Sequence, residues 1–230
     1  MKLLRRVLDE IVANKSLLLF LGLMLMFRSA VADWMQVPTG SMNPTIVEGD
    51  RILVDKAAYG LRVPFTNVRL THGGDPQRGD IVIFPSPKDG MTLVKRVVGL
   101  PGDTIAMHGE RLTINGKPLD YASTQSSADD ELPIATRGEQ REYFSEALGG
   151  ATHPIMVLPK RNAMRTFGPV TVPQGHYFMM GDSRDNSEDS RYFGFVARES
   201  IVGRAHRVAY SLDADRWYKP RGDRLFSPLN

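Results

Sequence analysis

After Trp34 the chain breaks into short apolar runs, each closed within a few residues by Gly, Pro or Asp, and this punctuation constrains the fold more than any other feature. The runs are Ile52-Leu-Val54, Ile81-Val-Ile-Phe84, Leu93-Val94, Val97-Val98, Thr113-Ile-Asn115, His176-Tyr-Phe-Met-Met180 and Ile201-Val202. Between them stand Glu48-Gly-Asp50, Arg78-Gly-Asp80, Leu100-Pro-Gly-Asp103, Asn115-Gly116 and Pro173-Gln-Gly175. Short apolar runs bounded by turn residues read as strands. The expected class is therefore mainly β. Asn115-Gly116, between Leu112-Thr-Ile114 and Lys117-Pro-Leu119, is a good tight hairpin turn. Residues 122–152 are Ser-, Asp- and Glu-rich and weakly patterned. They are expected to form an exposed insertion with one short helix near Arg141–Leu148.

The N-terminal region differs. Lys2, Arg5, Arg6 and Lys15 precede Ser16–Phe27, a stretch of twelve uncharged residues closed by Arg28. A membrane span wants about 20 apolar residues. Continuing through Ser29-Ala-Val-Ala32 reaches a usable length if Arg28 snorkels to the interface, where Trp34 would join an aromatic belt. The same features, with Ala30-Val31-Ala32, also fit a cleaved signal peptide. Both readings keep the basic flank in the cytoplasm and export the rest.

Composition removes several chemistries. Zero Cys excludes disulfide scaffolds, thiolate metal sites and cysteine nucleophiles. With 29 Lys+Arg against 26 Asp+Glu, the net charge of +3 is no nucleic-acid footprint.

Three stretches carry chemistry. Pro38-Thr-Gly-Ser-Met-Asn-Pro-Thr45 holds Ser41 in a turn that Gly40 and Pro44 make tight. Ser41 is either a turn serine or a nucleophile, and a nucleophile needs a base. None of His72, His108, His153, His176 and His206 sits in a recognisable triad or metal motif. In Leu93-Val-Lys-Arg-Val-Val98, alternation puts Lys95 on one face with Leu93 and Val97, and Arg96 on the other. Lys95 is either a snorkelling edge residue or a base made neutral by burial. Arg96 cannot deprotonate. Lys56 is a poorer candidate, since Asp55 beside it would keep it charged. The third stretch, Gly181-Asp-Ser-Arg-Asp-Asn-Ser-Glu-Asp-Ser-Arg191, is either a solvated or calcium-binding loop or a buried network that orients a catalytic group.

Together with Gly49-Asp-Arg-Ile-Leu-Val54, Arg78-Gly-Asp-Ile-Val-Ile-Phe84 and Lys95-Arg-Val-Val-Gly-Leu-Pro-Gly-Asp103, these stretches resemble bacterial type I signal peptidase, in the family's order. The resemblance covers most of the chain after Trp34 outside 104–174. It implies a membrane-bound serine endopeptidase that removes signal peptides after Ala-x-Ala, with Ser41 as nucleophile and Lys95 as general base. It implies an oxyanion hole from the Ser41 N–H and the Thr39 hydroxyl, where the family often has Ser. Ser187 would bond the lysine, with Asp189 and Arg191 as support, and Asp182 and Arg184 would form an ion pair. Val37, Pro38, Met42, Ile46, Leu93 and Val94 match positions lining the pockets for substrate residues −1 and −3.

The implied organisation is a cytoplasmic flank at 1–15 and a transmembrane anchor at 16–32. A β catalytic core at 33–103 and 175–230 follows, with an inserted smaller β domain at 104–174. The implied partners are signal peptides and the lipid bilayer, with no cofactor, metal or nucleic acid. The implied location is a single pass in the cytoplasmic membrane with the catalytic part outside. Rival readings are a Ser/Lys peptidase dedicated to one substrate, such as a pilin processor, and a non-catalytic membrane-tethered β module.

Overall fold

The computed structural model describes residues 14–66, 68–124, 131–133 and 138–229. The basic flank before residue 14, with Lys2, Arg5 and Arg6, lies outside the described residues. The first element is α1, Lys15–Ala30, whose apolar side chains from Leu17 to Phe27 are largely exposed. No helix among the described residues is long and apolar enough to cross a membrane. At its end Arg28 pairs with Asp33 and stacks over the Trp34 ring at 4.6 Å.

The strands follow in chain order. They begin with β1 (Ala32–Gln36), β2 (Asp50–Asp55), β3 (Ile81–Pro85) and β4 (Thr92–Gly99). Next come β5 (Thr104–His108), β6 (Arg111–Ile114), β7 (Lys117–Pro118) and β8 (Tyr121–Thr124). After them are β9 (Glu142–Leu148), β10 (Ala151–Val157), β11 (Thr166–Thr171) and β12 (His176–Met180). A short helix α2 (Ser190–Phe193) leads to β13 (Val196–Ala197), β14 (Gly203–Asp213) and β15 (Lys219–Pro220). The chain is mainly β, as its punctuation requires.

The main sheet is antiparallel and runs β1-β2-β14-β3-β4-β12-β13, with β15 beside β14. Two smaller sheets, β11-β5-β6-β7 and β10-β9-β8, arise between β4 and β12. Strand β3 shows why an unbroken apolar run belongs at the centre. Ile81 and Ile83 enter one buried cluster, and Val82 and Phe84 enter another on the opposite face. Each such side chain contributes about 1.5–3 kcal/mol on burial.

Three sequence expectations need correction. Arg141–Leu148 is not helical: β9 pairs in register with β10 across Gly149-Gly150, both at positive φ. Burial decides it, because β9 hides Tyr143, Glu146 and Leu148 while β10 hides His153, Ile155 and Met156. Within 122–152, expected to be an exposed insertion, Tyr143, Glu146 and Leu148 are thus buried. Ile201-Val202 precedes its strand, which starts at Gly203. The Asn115-Gly116 hairpin forms as expected, with φ of 53° and 74°.

Candidate active site

Strand β1 ends at Gln36, and Thr39 is extended (φ −132°, ψ 151°) before one 3-10 turn, Gly40–Met42, which presents Ser41. Strand β4 carries Lys95 to the same point, with Lys95 Nζ 2.7 Å from Ser41 Oγ and 3.0 Å from the Val94 carbonyl. Both residues are buried, Lys95 at 2% exposure. Among the described residues no carboxylate pairs directly with Lys95. Burial strips the ammonium of water and pulls its pKa down to about 8, while the more distant Asp189, Asp182 and Glu188 limit the fall.

Its neighbour Arg96 has a different fate. Arg96 Nε and Nη2 grip both oxygens of Asp182 at 2.8 and 2.7 Å, and Nη1 donates to the Gly79 carbonyl. Burial alone would raise Asp182, but Arg96 holds it below the usual carboxylate range, helped by the Thr45 hydroxyl at 2.5 Å. Lys56 is held by Asp33 at 3.1 Å rather than by Asp55, whose carboxylate accepts from the Ala57 N–H.

The 181–191 loop folds against the Ser41 turn. The Ser183 N–H donates to the Ser41 carbonyl at 3.1 Å. Asp189 caps α2, accepts from the Gly181 N–H at 3.1 Å and forms a two-pronged ion pair with Arg191 at 2.8 Å. Ser187 Oγ is buried without a hydrogen-bond partner among the described residues, so its expected bond to Lys95 is not made here. Asp182 and Arg184 do not pair with each other. Asp182 pairs with Arg96, and Arg184 pairs with Glu146 of β9 at 2.7 Å.

Of the residues expected to line the substrate pockets, Val37, Met42 and Ile46 share one buried cluster, and Val94 packs against it. Leu93 packs into the opposite cluster with Val97, as strand alternation dictates. Pro38 and Thr39 are exposed, and Thr39 makes no side-chain bond to the turn it precedes.

Glu146 and Tyr121 escape the sequence reading, and His153 enters it only as a histidine outside any motif; all three surround Arg184. Tyr121 donates to Glu146 at 2.6 Å, and His153 Nε2 lies 3.4 Å from Glu146 and 3.8 Å from Asp182. Gly149-Gly150 between two partly apolar stretches was the usable signal, as a two-glycine hairpin turn. Burial, then the charge of Arg96, pushes His153 down to about 4, so it is neutral near pH 7.

Comparison with known proteins gives consistent relatives. The family described as signal peptidase, peptidase S26, matches residues 10–210. Signal peptidase I of Pseudomonas fluorescens is 40% identical over 220 residues, covering 90% of this chain and 73% of that protein. Signal peptidase I of Pseudomonas aeruginosa is 40% identical over 224 residues, covering 92% and 75%. Signal peptidase I of Rickettsia typhi is 33% identical over 209 residues, covering 84% and 77%.

Proposed function

The chain belongs to the signal peptidase family, peptidase S26, and on that premise we propose that it removes signal peptides from exported preproteins after Ala-x-Ala, with Ser41 as nucleophile and Lys95 as general base. The observation that carries the mechanism is the buried 2.7 Å approach of Lys95 Nζ to Ser41 Oγ, away from any directly paired carboxylate among the described residues. Neutral Lys95 takes the hydroxyl proton as Ser41 Oγ attacks the carbonyl carbon of residue −1. The oxyanion is held by the Ser41 N–H and the Thr39 hydroxyl. The tetrahedral species collapses as Lys95 returns the proton to the leaving amine of the mature protein. Water, deprotonated by Lys95, then attacks the Ser41 ester, and Lys95 passes that proton to Ser41 Oγ as the signal peptide leaves.

Val37, Pro38, Met42, Ile46 and Val94 form the walls for residues −1 and −3, whereas Leu93 packs on the opposite face of β4. Val37, Met42, Ile46 and Val94 share one apolar cluster, and tight apolar walls of this kind favour a small side chain such as alanine. Ser187, Asp189 and Arg191 support the lysine. Residues 33–103 and 175–230 form the catalytic core, and 104–174 the inserted unit. The exposed apolar side chains of α1 support lipid anchoring, in a single pass with the basic flank in the cytoplasm and the catalytic part outside.

The test is to incubate purified protein with an Ala-x-Ala precursor and sequence the new N-terminus. A cut directly after the second alanine, lost in Ser41→Ala and Lys95→Ala, supports the reading. A cut elsewhere, or activity that survives both substitutions, overturns it.

A further inference from the structure

The β9–β10 hairpin is joined to the Ser41 turn by the backbone of a short segment, Asp182–Arg184. On its hairpin side, the Met156 N–H donates to the Asp182 carbonyl and the Arg184 N–H donates to the Met156 carbonyl, both at 2.9 Å. On its other side, the Ser183 N–H donates to the Ser41 carbonyl at 3.1 Å. The segment is therefore a bridge whose far end is the backbone of the proposed nucleophile.

The two charged side chains of the bridge are fully buried and have separate counter-ions. Asp182 takes Arg96, next to Lys95, and Thr45, four residues after Ser41. Arg184 takes Glu146, which also accepts from Tyr121. Burial alone would raise Glu146, but the Arg184 guanidinium beside it keeps it ionised, helped by the Tyr121 hydroxyl. His153 Nε2 lies near both carboxylates, 3.4 Å from Glu146 and 3.8 Å from Asp182, without a hydrogen bond to either. The cluster balances as two carboxylates against two guanidiniums. Without the Glu146 charge, Arg184 would be stranded in a buried place, where such charges are costly. The carboxylate left within its field is Asp182, which Arg96 already grips. Competition for Asp182 would drag the bridge away from its present seat.

We infer that Glu146, with Tyr121 and His153 around it, is a positioning residue: it fixes Arg184, and through the Asp182–Arg184 bridge it sets Ser41 against Lys95. The inserted strands are then part of what aligns the reaction. This inference rests on the Ser41 and Lys95 roles proposed above.

The experiment measures kcat and KM per folded molecule for the full chain in detergent micelles cutting an Ala-x-Ala precursor. Glu146→Gln keeps volume and deletes the charge. Because small misplacements of reacting groups are costly, kcat is expected to fall by about tenfold or more, with KM within about twofold. The milder Tyr121→Phe is expected to lower kcat by roughly two- to fivefold, again with KM preserved, and it decides the matter if Glu146→Gln does not fold. A purely structural role would lower the melting temperature and leave kcat per folded molecule unchanged, and that result overturns the inference. Wild type and Ser41→Ala run alongside. Wild type that fails to cut sinks the Ser/Lys reading, whereas wild type that cuts beside unaffected variants sinks only the role of Glu146.

Discussion

The Ser183 N–H donates to the Ser41 carbonyl at 3.1 Å, and two residues before it Gly181 leaves no space for a side chain. A Cβ on Gly181 would lie 2.3 Å from the Ser41 carbonyl oxygen and 2.3 Å from Ser187 Oγ. The loop and the turn thus meet backbone against backbone, which ties the Ser41 position to the path of residues 181–183.

Gly181→Ala is the direct probe of that contact. The clash involves main-chain atoms of the Ser41 turn, so the turn itself must shift. Overpacking of this kind costs about 1–3 kcal/mol of stability, and displacing a reacting group by about 1 Å costs about 100-fold in rate. Precursor cleavage by the folded variant should therefore fall much further than its melting temperature suggests. A rate equal to wild type would mean that the contact does not position Ser41.

Ser187 separates stability from activity in the opposite way. Its hydroxyl is buried and unbonded, and a buried unbonded hydroxyl opposes folding. Ser187→Ala should leave the melting temperature unchanged or raise it. If the hydroxyl bonds Lys95 once substrate is bound, kcat should fall by about tenfold or more, as catalytic bonds often tighten only in the complex. An unchanged kcat removes Ser187 from the site.

Thr39 is tested by a matched pair. Thr39→Val keeps the shape and deletes the hydroxyl, while Thr39→Ser keeps the hydroxyl. Losing one oxyanion donor costs about 100- to 1000-fold in kcat. Val should show that loss and Ser should not, with KM similar in both. Equal rates for the two variants would assign the oxyanion to other donors.

The parts of this molecule legible in the sequence were those encoded locally. Strand β3 announced itself as an apolar run, and Asn115-Gly116 as a turn. Ser41 and Lys95 stood out through motifs that resemble a known family. What was hidden depended on distant partners. Glu146 lies 38 positions from Arg184, so the Asp182–Arg184 pairing suggested by proximity in sequence dissolves into two longer-range pairs. Residues 142–148 contain Glu, Ala and Leu, which favour helix, but burial against β10 and the Gly149-Gly150 turn outweigh that weak preference. Leu93 matched a pocket position by motif, yet strand alternation sends it to the opposite face from Val94.

Lys95 should be a stability liability. Its folded pKa of about 8 lies below its ordinary 10.5, so the folded state binds the proton less tightly than the unfolded state does. The penalty is full below pH 8, fades between pH 8 and 10.5, and is absent above. Its size is roughly 3 kcal/mol, offset in part by the bond to Ser41. Lys95→Met should abolish cleavage and stabilise the fold at pH 6–7 by about 2 kcal/mol. The gain should shrink as pH rises past 8. Denaturant melts across this range check the sign. A variant less stable than wild type at pH 6 would mean that the lysine is not buried at a cost.

The proposed mechanism stands or falls on Lys95 acting as a neutral amine. The measurement is kcat/KM for cleavage of an Ala-x-Ala precursor from pH 5.5 to 9.5, which reports the ionisation of the free enzyme. The expected result is a tenfold rise per pH unit at low pH that levels off with an apparent pKa near 8. A profile flat across the range, or one that levels off near the ordinary histidine value of about 6.5, would contradict it.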